Sequence, residues 1–375
     1  VLVLTGLLMP ALLGGVGLAV DTGVIGTARS QLQTAADAAA LAGAWQLAQI
    51  RTPALMTTSL ARARGAAITA AANNRVIARD VLVKDNPTNA TTGEVVIGYL
   101  SPFDTATATP ATAGAATGFN AVKVTAFRDA AHVGSVPSYF GRLFGATGSN
   151  LNVTGTAIMR RLRVGGFKNA NNQPVHLLPI VLDVNTYNAM VAGTTTDEFT
   201  WNDATKAIAD GGDGVTESRL YPVRSGNPGN WGTVNIGVTA NSTSVLGDQI
   251  RYGITPAQLA TFPNGRIELD RTKSPPQITF SGDPGISAGI KDDLEAIRGR
   301  PVFIPIYDQT GGNGNNAWFR VIKFAGVRIL DVNFQGNPKH VIIQPADVLA
   351  DGAVGDSGTN PPPGEGGVIK LYLCR

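Results

Sequence analysis

The sequence predicts an α+β protein in which a long N-terminal helix, apolar and then alanine-rich, stands as a stalk before β-rich globular domains. Three observations predict it. Residues 1–20 carry no charged side chain, and the first charge is Asp21. Residues 27–50, TARSQLQTAADAAALAGAWQLAQI, are dominated by alanine, the best helix former. Beyond them the chain is loose and weakly charged: 45 Gly and 22 Pro among 375 residues, and 15% charged residues against about 25% in typical domains. Such a composition belongs to loop-rich β structure, or to a protein that buries much surface in an assembly.

The first helix has two parts. Twenty helical residues span about 30 Å, the thickness of a bilayer's hydrocarbon core, so the uncharged run reads as a transmembrane helix. Gly6, Pro10, Gly14, Gly15 and Gly17 weaken a helix in water, but small residues let helices approach closely in lipid or in a bundle. The helix is expected to bend near Pro10 and the Gly14–Gly17 cluster. In the second part Leu32, Ala35, Ala36, Ala39, Ala42 and Leu47 recur at helical spacing and form a face of methyl groups. Arg29 and Asp37 lie on this part, either on a solvated face or as a charge pair between neighbouring subunits. The residues assigned to a membrane or assembly helix are Val1, Leu4, Leu8, Pro10, Gly14, Gly17, Asp21, Arg29, Leu32, Ala36 and Asp37.

LLMP (7–10), GLAVD (17–21) and LQTAADAAALAGA (32–44) resemble the N-terminus of the TadE/TadG-like proteins of tight-adherence (Tad, Flp) pilus assembly. The resemblance is close over residues 1–50. It continues loosely through YFGRLFG (139–145) and NVTGTAIMRR (152–161), to about residue 163. Thr5 departs from a type IV pilin, which has Glu there, and the short basic leader usual in relatives does not precede Val1 in the sequence as given. The resemblance implies a pilin-like structural subunit of an extracellular filament, polymerising through its N-terminal helix. The alternative is a membrane-anchored accessory protein of pilus assembly, or a cell-surface adhesin, that does not polymerise. The implied partners are the chain itself or other pilus components, with the membrane before assembly. The implied location is the cell surface, after anchoring in the bacterial inner membrane.

The remaining elements follow from period and punctuation. Three domains are expected: 1–52, the assembly helix; 53–163, a small α+β domain; and 164–375, a larger β-rich domain. Pro53 ends or bends the first helix, and LARARGAAITAAANNRV (60–76) resumes a helical pattern. EVVIGYL (94–100), NAVKVTAF (120–127) and LNVTGTAIMRRLR (151–163) read as strands, with SYFGRLFG (138–145) a short helix between the last two. VGGFKNANNQP (164–174) reads as a boundary. Strands are then expected in VHLLPIVLDV, WGTVNIGV, IELD, PQITFS, PVFIPIYD and KHVIIQ. Helices are expected around 244–262 and 287–298. AWFRVIKFAGVRILDVNF (317–334) should bend at Ala325–Gly326. After the Pro/Gly-rich 351–367, VIKLYLC (368–374) closes as a strand with Val368, Leu371 and Leu373 on it. An unpaired apolar strand is a liability, so it must pair with a sheet edge of its own subunit or of a neighbour.

Chemistry is sparse. GISAG (285–289) matches a nucleophile elbow, and Asp308, Asp331 and His340 follow it in the right order. The elbow needs a strand running straight into the turn, and SGDPG intervenes, so Ser287 reads as a helix cap and no enzyme is expected. Asp210, Asp213 and Glu217 around GDGV form a weak calcium candidate, since their spacing is not that of an EF-hand. The three His are far apart, and one cysteine, Cys374, makes neither an internal disulfide nor a cysteine zinc site. No cofactor is expected. A net charge of +3 without a dense basic run gives no reason to expect nucleic acid.

Overall fold

The computed structural model describes residues 2–48, 53–101, 109–113, 118–202, 205–220, 230–239, 242–283, 288–312, 316–335, 340–349, 352–355 and 366–374, without the side chains of 2–13 and 53–56. The chain is α+β: an N-terminal helix followed by many strands. It divides into two units, Val1–Arg160 with Leu371–Arg375, and Arg161–Lys370.

In the first unit α1 (Leu2–Leu47) is one uninterrupted helix. α2 (Pro53–Ala72) opens on its proline, at the position where a missing N–H costs nothing. Two short pairs follow, β1 (Arg75–Val76) with β2 (Arg79–Asp80), and later β5 (Val136–Pro137) with β6 (Gly148–Ser149). Between and after them lie β3 (Val95–Gly98), β4 (Ala121–Arg128) and β7 (Leu151–Leu162), antiparallel to one another in chain order.

The alanine face of α1 is spent inside this unit. Ala28, Leu32, Ala35, Ala36, Ala39, Ala40 and Ala44 are buried, together with Ala63, Ala67 and Ala71 of α2. Small side chains bring the backbones together. A Cβ on Gly43 would stand 3.0 Å from Val122 and 3.2 Å from the carbonyl of Ala63, and one on Gly155 would stand 2.5 Å from the Ala36 carbonyl carbon. α2 and the sheet occupy this face.

Among the described residues no helix is long and apolar enough to cross a membrane. This overturns the expected transmembrane helix and the anchoring in the inner membrane that rested on it. From Asp21 onward α1 carries Asp21, Arg29 and Asp37, and its apolar side is used for packing against protein.

The second unit contains β8 (Val164–Lys168), β9 (Ile180–Asp183), α3 (Val184–Val191), β10 (Phe199–Asn202), β11 (Ala207–Asp210), β12 (Ser218–Arg219) and β13 (Trp231–Val234). α4 (Thr243–Tyr252), α5 (Pro256–Leu259), β14 (Arg266–Glu268), β15 (Ile278–Asp283), α6 (Lys291–Ala296), β16 (Pro301–Gly311), β17 (Ala317–Asn333), β18 (His340–Pro345) and β19 (Ala353–Gly355) complete it. β17 is the hub. It pairs with β15 over its first turn of residues, with β16 along most of its length and with β18 toward its end. Because β15 leads through β13 and β9 back to β16, the hydrogen-bonding path closes on itself.

Closure buries both faces of these strands. On β16, Val302, Ile304 and Ile306 join one core with α3, α4 and α6, while Phe303 and Tyr307 enter a second core with Phe167, Phe280, Phe319 and Phe324. This is the period-two alternation of a strand with apolar residues on each side. The irregularity expected at Ala325–Gly326 lies elsewhere, between Ile329 and Asp331 and opposite Ile306–Gln309. Gly326 serves close approach instead, since a Cβ there would lie 2.2 Å from the carbonyl oxygen of Ala346.

The last strand, β20 (Val368–Cys374), runs beside β7, giving the four-stranded order β20-β7-β4-β3. Val368 is buried, whereas Leu371 and Leu373 are half-buried.

Candidate functional site

The part of α1 that its own unit leaves uncovered lies near its N-terminal end. Val16, Leu18 and Val20 are 60, 69 and 43% exposed. Beside them sits the segment Ser138–Gly145. Two residues of α1, one helical turn apart and so on the same face, fix it there.

Asp21 is the first. Its Oδ2 accepts from the Ser138 hydroxyl at 2.5 Å and from the Gly141 amide at 2.7 Å, and its Oδ1 accepts from the Tyr139 amide at 2.8 Å. The Phe140 amide points between the two oxygens at 3.2 Å from each. Three successive main-chain N–H groups and a hydroxyl thus form a concave anion nest around one carboxylate. The Ser138 hydroxyl foremost, then the Gly141 amide, hold its pKa down at about 2 against the opposing effect of burial. Gly17 is the second. Phe140 packs on its bare backbone so closely that a Cβ would stand 2.7 Å from the Phe140 Cβ. Gly141 is required as well, because a Cβ there would strike Ser138 Oγ at 2.3 Å.

The clasp has a consequence. The 3-10 turn Gly141–Phe144 ends at Gly145, with φ of +84°, and turns Leu143 and Phe144 outward at 80 and 81% exposure. With Tyr139, Val16, Leu18 and Val20 they leave large apolar side chains exposed on both the turn and the helix. Scattered exposed apolar residues are ordinary; what is specific here is that a carboxylate of the helix fixes the turn that carries two of them.

Asp21→Ala is expected to free the clasped segment. Amide exchange at Tyr139, Phe140 and Gly141 should accelerate by about tenfold or more. Acid should do the same to the native chain. The folded pKa is depressed, so the stabilisation is present above the ordinary value of 3.8 and is lost as the pH falls through about 2. Unchanged exchange in the variant at neutral pH would show that the carboxylate does not hold the loop.

The other residues singled out from the sequence are placed as follows. Val1 lies outside the described residues, and Leu4, Leu8 and Pro10 lie in α1 with side chains outside the description. Gly14 faces open space, Leu32 and Ala36 are buried, and Arg29 is exposed. Arg29 and Asp37 line one open groove of about 690 Å³ with Thr154 and Cys374, and Asp37 accepts from the Gln33 amide at 2.8 Å.

Ser287 lies outside the described residues, so its role as cap or nucleophile does too. His340 is bonded to Asp331 at 2.7 Å, while Asp308 is held by Arg320 at 2.8 and 2.5 Å.

Asp210 is exposed on β11, apart in role from Asp213 and Glu217. Those two, with Asp197, accept main-chain amides. Asp213 takes those of Trp201 and Val215, Glu217 those of Glu198 and Phe199, and Asp197 those of Asp213 and Gly214. Among the described residues no group of three His, Cys, Asp or Glu is arranged to hold a metal ion.

A Glu94–His132–Asp129 chain centred on the buried His132, at 2.8 and 2.7 Å, escaped the sequence reading, as did the exposed aromatics of 139–144. Burial opposes protonation of His132, but the hydrogen bonds to Asp129 and Glu94 outweigh it and raise its pKa. The chain ties the turn after β4 to the start of β3, a structural task.

The Tad family model, described as Flp pilus-assembly TadE/G-like, matches residues 1–46 of this chain. No curated protein and no solved structure matches it. The matched segment includes both Gly17 and Asp21, so the part of the chain that is similar to this family is also the part that positions the exposed apolar turn.

Proposed function

We propose that the protein is a structural, non-catalytic component of a Tad-type pilus apparatus. It associates with copies of itself into a pilus-like filament through the N-terminal part of α1 and the apolar turn clasped to it. The observation that carries this reading is the exposure of Val16, Leu18, Val20, Leu143 and Phe144 around a built anchor, Asp21. A carboxylate that binds three amides fixes the turn before any partner arrives, which lowers the ordering cost of association. The family match over residues 1–46 supports a pilus-assembly setting.

The test uses Leu143→Asp combined with Phe144→Asp. Both side chains are exposed, so the fold should survive by circular dichroism. Each apolar side chain of this size contributes about 1.5–3 kcal/mol when fully buried, so self-association should weaken at least about a hundredfold. Sedimentation velocity across a concentration series, with electron microscopy of the pelleted material, reads the result. A native chain that stays monomeric throughout, or a double variant that assembles like the native chain, defeats the proposal.

A further inference from the structure

We propose that the second unit binds a neutral oligosaccharide across Phe262, in two adjoining clefts that the ring separates. This goes beyond the reading given above and uses different residues.

The first cleft has a volume of about 480 Å³ and its walls carry no charged side chain. Asn235, Thr239, Thr261, Thr279 and Ser281 contribute a carboxamide and four hydroxyls, and Phe262 contributes an aromatic wall. Thr279 and Ser281 are exposed on the same face of β15, two residues apart. The carboxamide oxygen of Asn235 is buried and accepts no hydrogen bond among the described residues. Its backbone amide is engaged by Ser281, at 2.8 Å, which fixes where the residue stands. Gly237 shapes the wall, with φ of +66° and no room for a Cβ, which would lie 2.4 Å from the Gln258 carbonyl oxygen. The Phe262 ring is held edge-on to Phe280, at 6.1 Å and 88°.

The second cleft, of about 570 Å³, shares Phe262 and Thr279 with the first. Its floor is different: Asn264, Arg266, Glu268, Asp270 and Gln277 supply planar polar groups of both signs. Arg266 and Glu268 neutralise each other at 3.7 Å.

The chemistry of the lining selects the ligand. The uncharged wall of the first cleft gives phosphates, nucleotides and metal ions nothing to bind, and in the second cleft the two cations, Arg266 and Lys273, are balanced by two carboxylates, Glu268 and Asp270. A wall of hydroxyls disfavours a lipid chain, because each polar group buried without a partner costs free energy. A peptide recognised through its main chain needs a free strand edge; β15 is paired with β17 over Ile278–Gly282 and, on its other side, with β13 at Gly282–Asp283 and with the Asn235 amide at Ser281, which leaves at most Ile278–Phe280, a short edge for an added strand. What fits is a molecule rich in O–H donors and acceptors with a C–H face for the ring: a hexose. Planar amide and carboxylate groups in the second cleft suit the paired hydroxyls of a further sugar. Both volumes lie in the range of small-molecule sites.

Isothermal titration of the full chain with hexamers of glucose (α- and β-linked), mannose and galactose tests this, with a galacturonate hexamer as the acidic arm. At least one neutral hexamer should bind saturably, with a Kd on the order of 10⁻⁴ M. Phe262→Ala should weaken it at least about tenfold. Because Phe262 is partly buried, Thr239→Lys and Ser281→Lys, at exposed rim positions, provide the decisive variants. Each should weaken binding by a similar factor at an unchanged melting temperature. Binding of the galacturonate hexamer alone, binding of none, or a neutral affinity indifferent to both lysine variants overturns the proposal.

Discussion

Asp347→Ala is expected to destabilise the second unit by about 3–5 kcal/mol, because it strips the carboxylate from a buried guanidinium. Arg161 and Asp347 are 7 and 3% exposed, and the guanidinium meets the carboxylate through two nitrogens, at 3.1 and 3.0 Å. The same carboxylate accepts the Gly367 amide at 3.2 Å. Three distant stretches of chain are thereby tied together: the end of β7, the segment after β18 and the start of β20. Main-chain bonds continue the seam, from the Val348 amide to the Gly367 carbonyl and from the Gly326 amide to the Gly366 carbonyl. The loss should therefore reach the terminal strand as well as the ion pair.

A second comparison separates charge from shape. A buried pair often adds little over an apolar replacement of similar size, whereas breaking it is costly. Arg161→Met with Asp347→Leu should therefore recover most of what Asp347→Ala loses. Urea denaturation followed by tryptophan fluorescence reads both, since Trp201, Trp231 and Trp318 lie in this unit. A single variant within about 1 kcal/mol of the native chain would mean that water reaches the guanidinium and takes over the pairing.

What the sequence reveals of this molecule depends on how far apart the interacting residues are. The alanine face of α1 is legible because Leu32, Ala36 and Ala39 are spaced within one helix, and burial follows that spacing. β16 and β18 are legible because runs such as PVFIPIY admit little else. What covers a face is another matter. Periodicity marks Ala36 as buried but cannot name Gly155, which lies more than a hundred residues later, as its neighbour.

Glycines mislead for the same reason. Gly165–Gly166 reads as a linker, yet β8 is a strand that pairs with β14, β17 and β19. Gly166 is there because a Cβ would lie 2.3 Å from the Ile267 carbonyl oxygen. The β10–β11 hairpin is invisible to pattern reading because FTWN and AIAD lack a run of β-branched residues; carboxylates that accept its amides hold it instead. Gly17 and Asp21 stand out in sequence as a motif, but their partner, the turn after Ser138, is fixed only by the fold.

Those carboxylates carry the second large expected effect. Burial pushes the pKa of Glu217 up to about 7, and the nearby Asp197 and Asp213 charges add to the rise, although the amides of Glu198 and Phe199 oppose it. Asp213 is raised too, again mainly by burial. Because the folded-state pKa of Glu217 lies above its ordinary value of 4.5, the folded chain holds a proton that the unfolded chain releases. Its contribution is therefore fully present below about pH 4.5 and is lost as the pH rises through about 7. A rise of this size corresponds to about 3 kcal/mol at 1.36 kcal/mol per pKa unit.

Glu217→Gln removes the titration while keeping an oxygen for the Glu198 amide, which lies 2.7 Å from Oε2 in the native chain. The other oxygen is 3.4 Å from the Phe199 amide and is the more weakly held of the two. The variant should be more stable than the native chain above pH 7, by up to about 3 kcal/mol, and no more stable at pH 4. Its profile between pH 4.5 and 7 should flatten. Urea denaturation at a series of pH values makes the comparison. A native profile already flat over that interval would show that Glu217 ionises freely, with water reaching the three carboxylates that hold the β10–β11 hairpin.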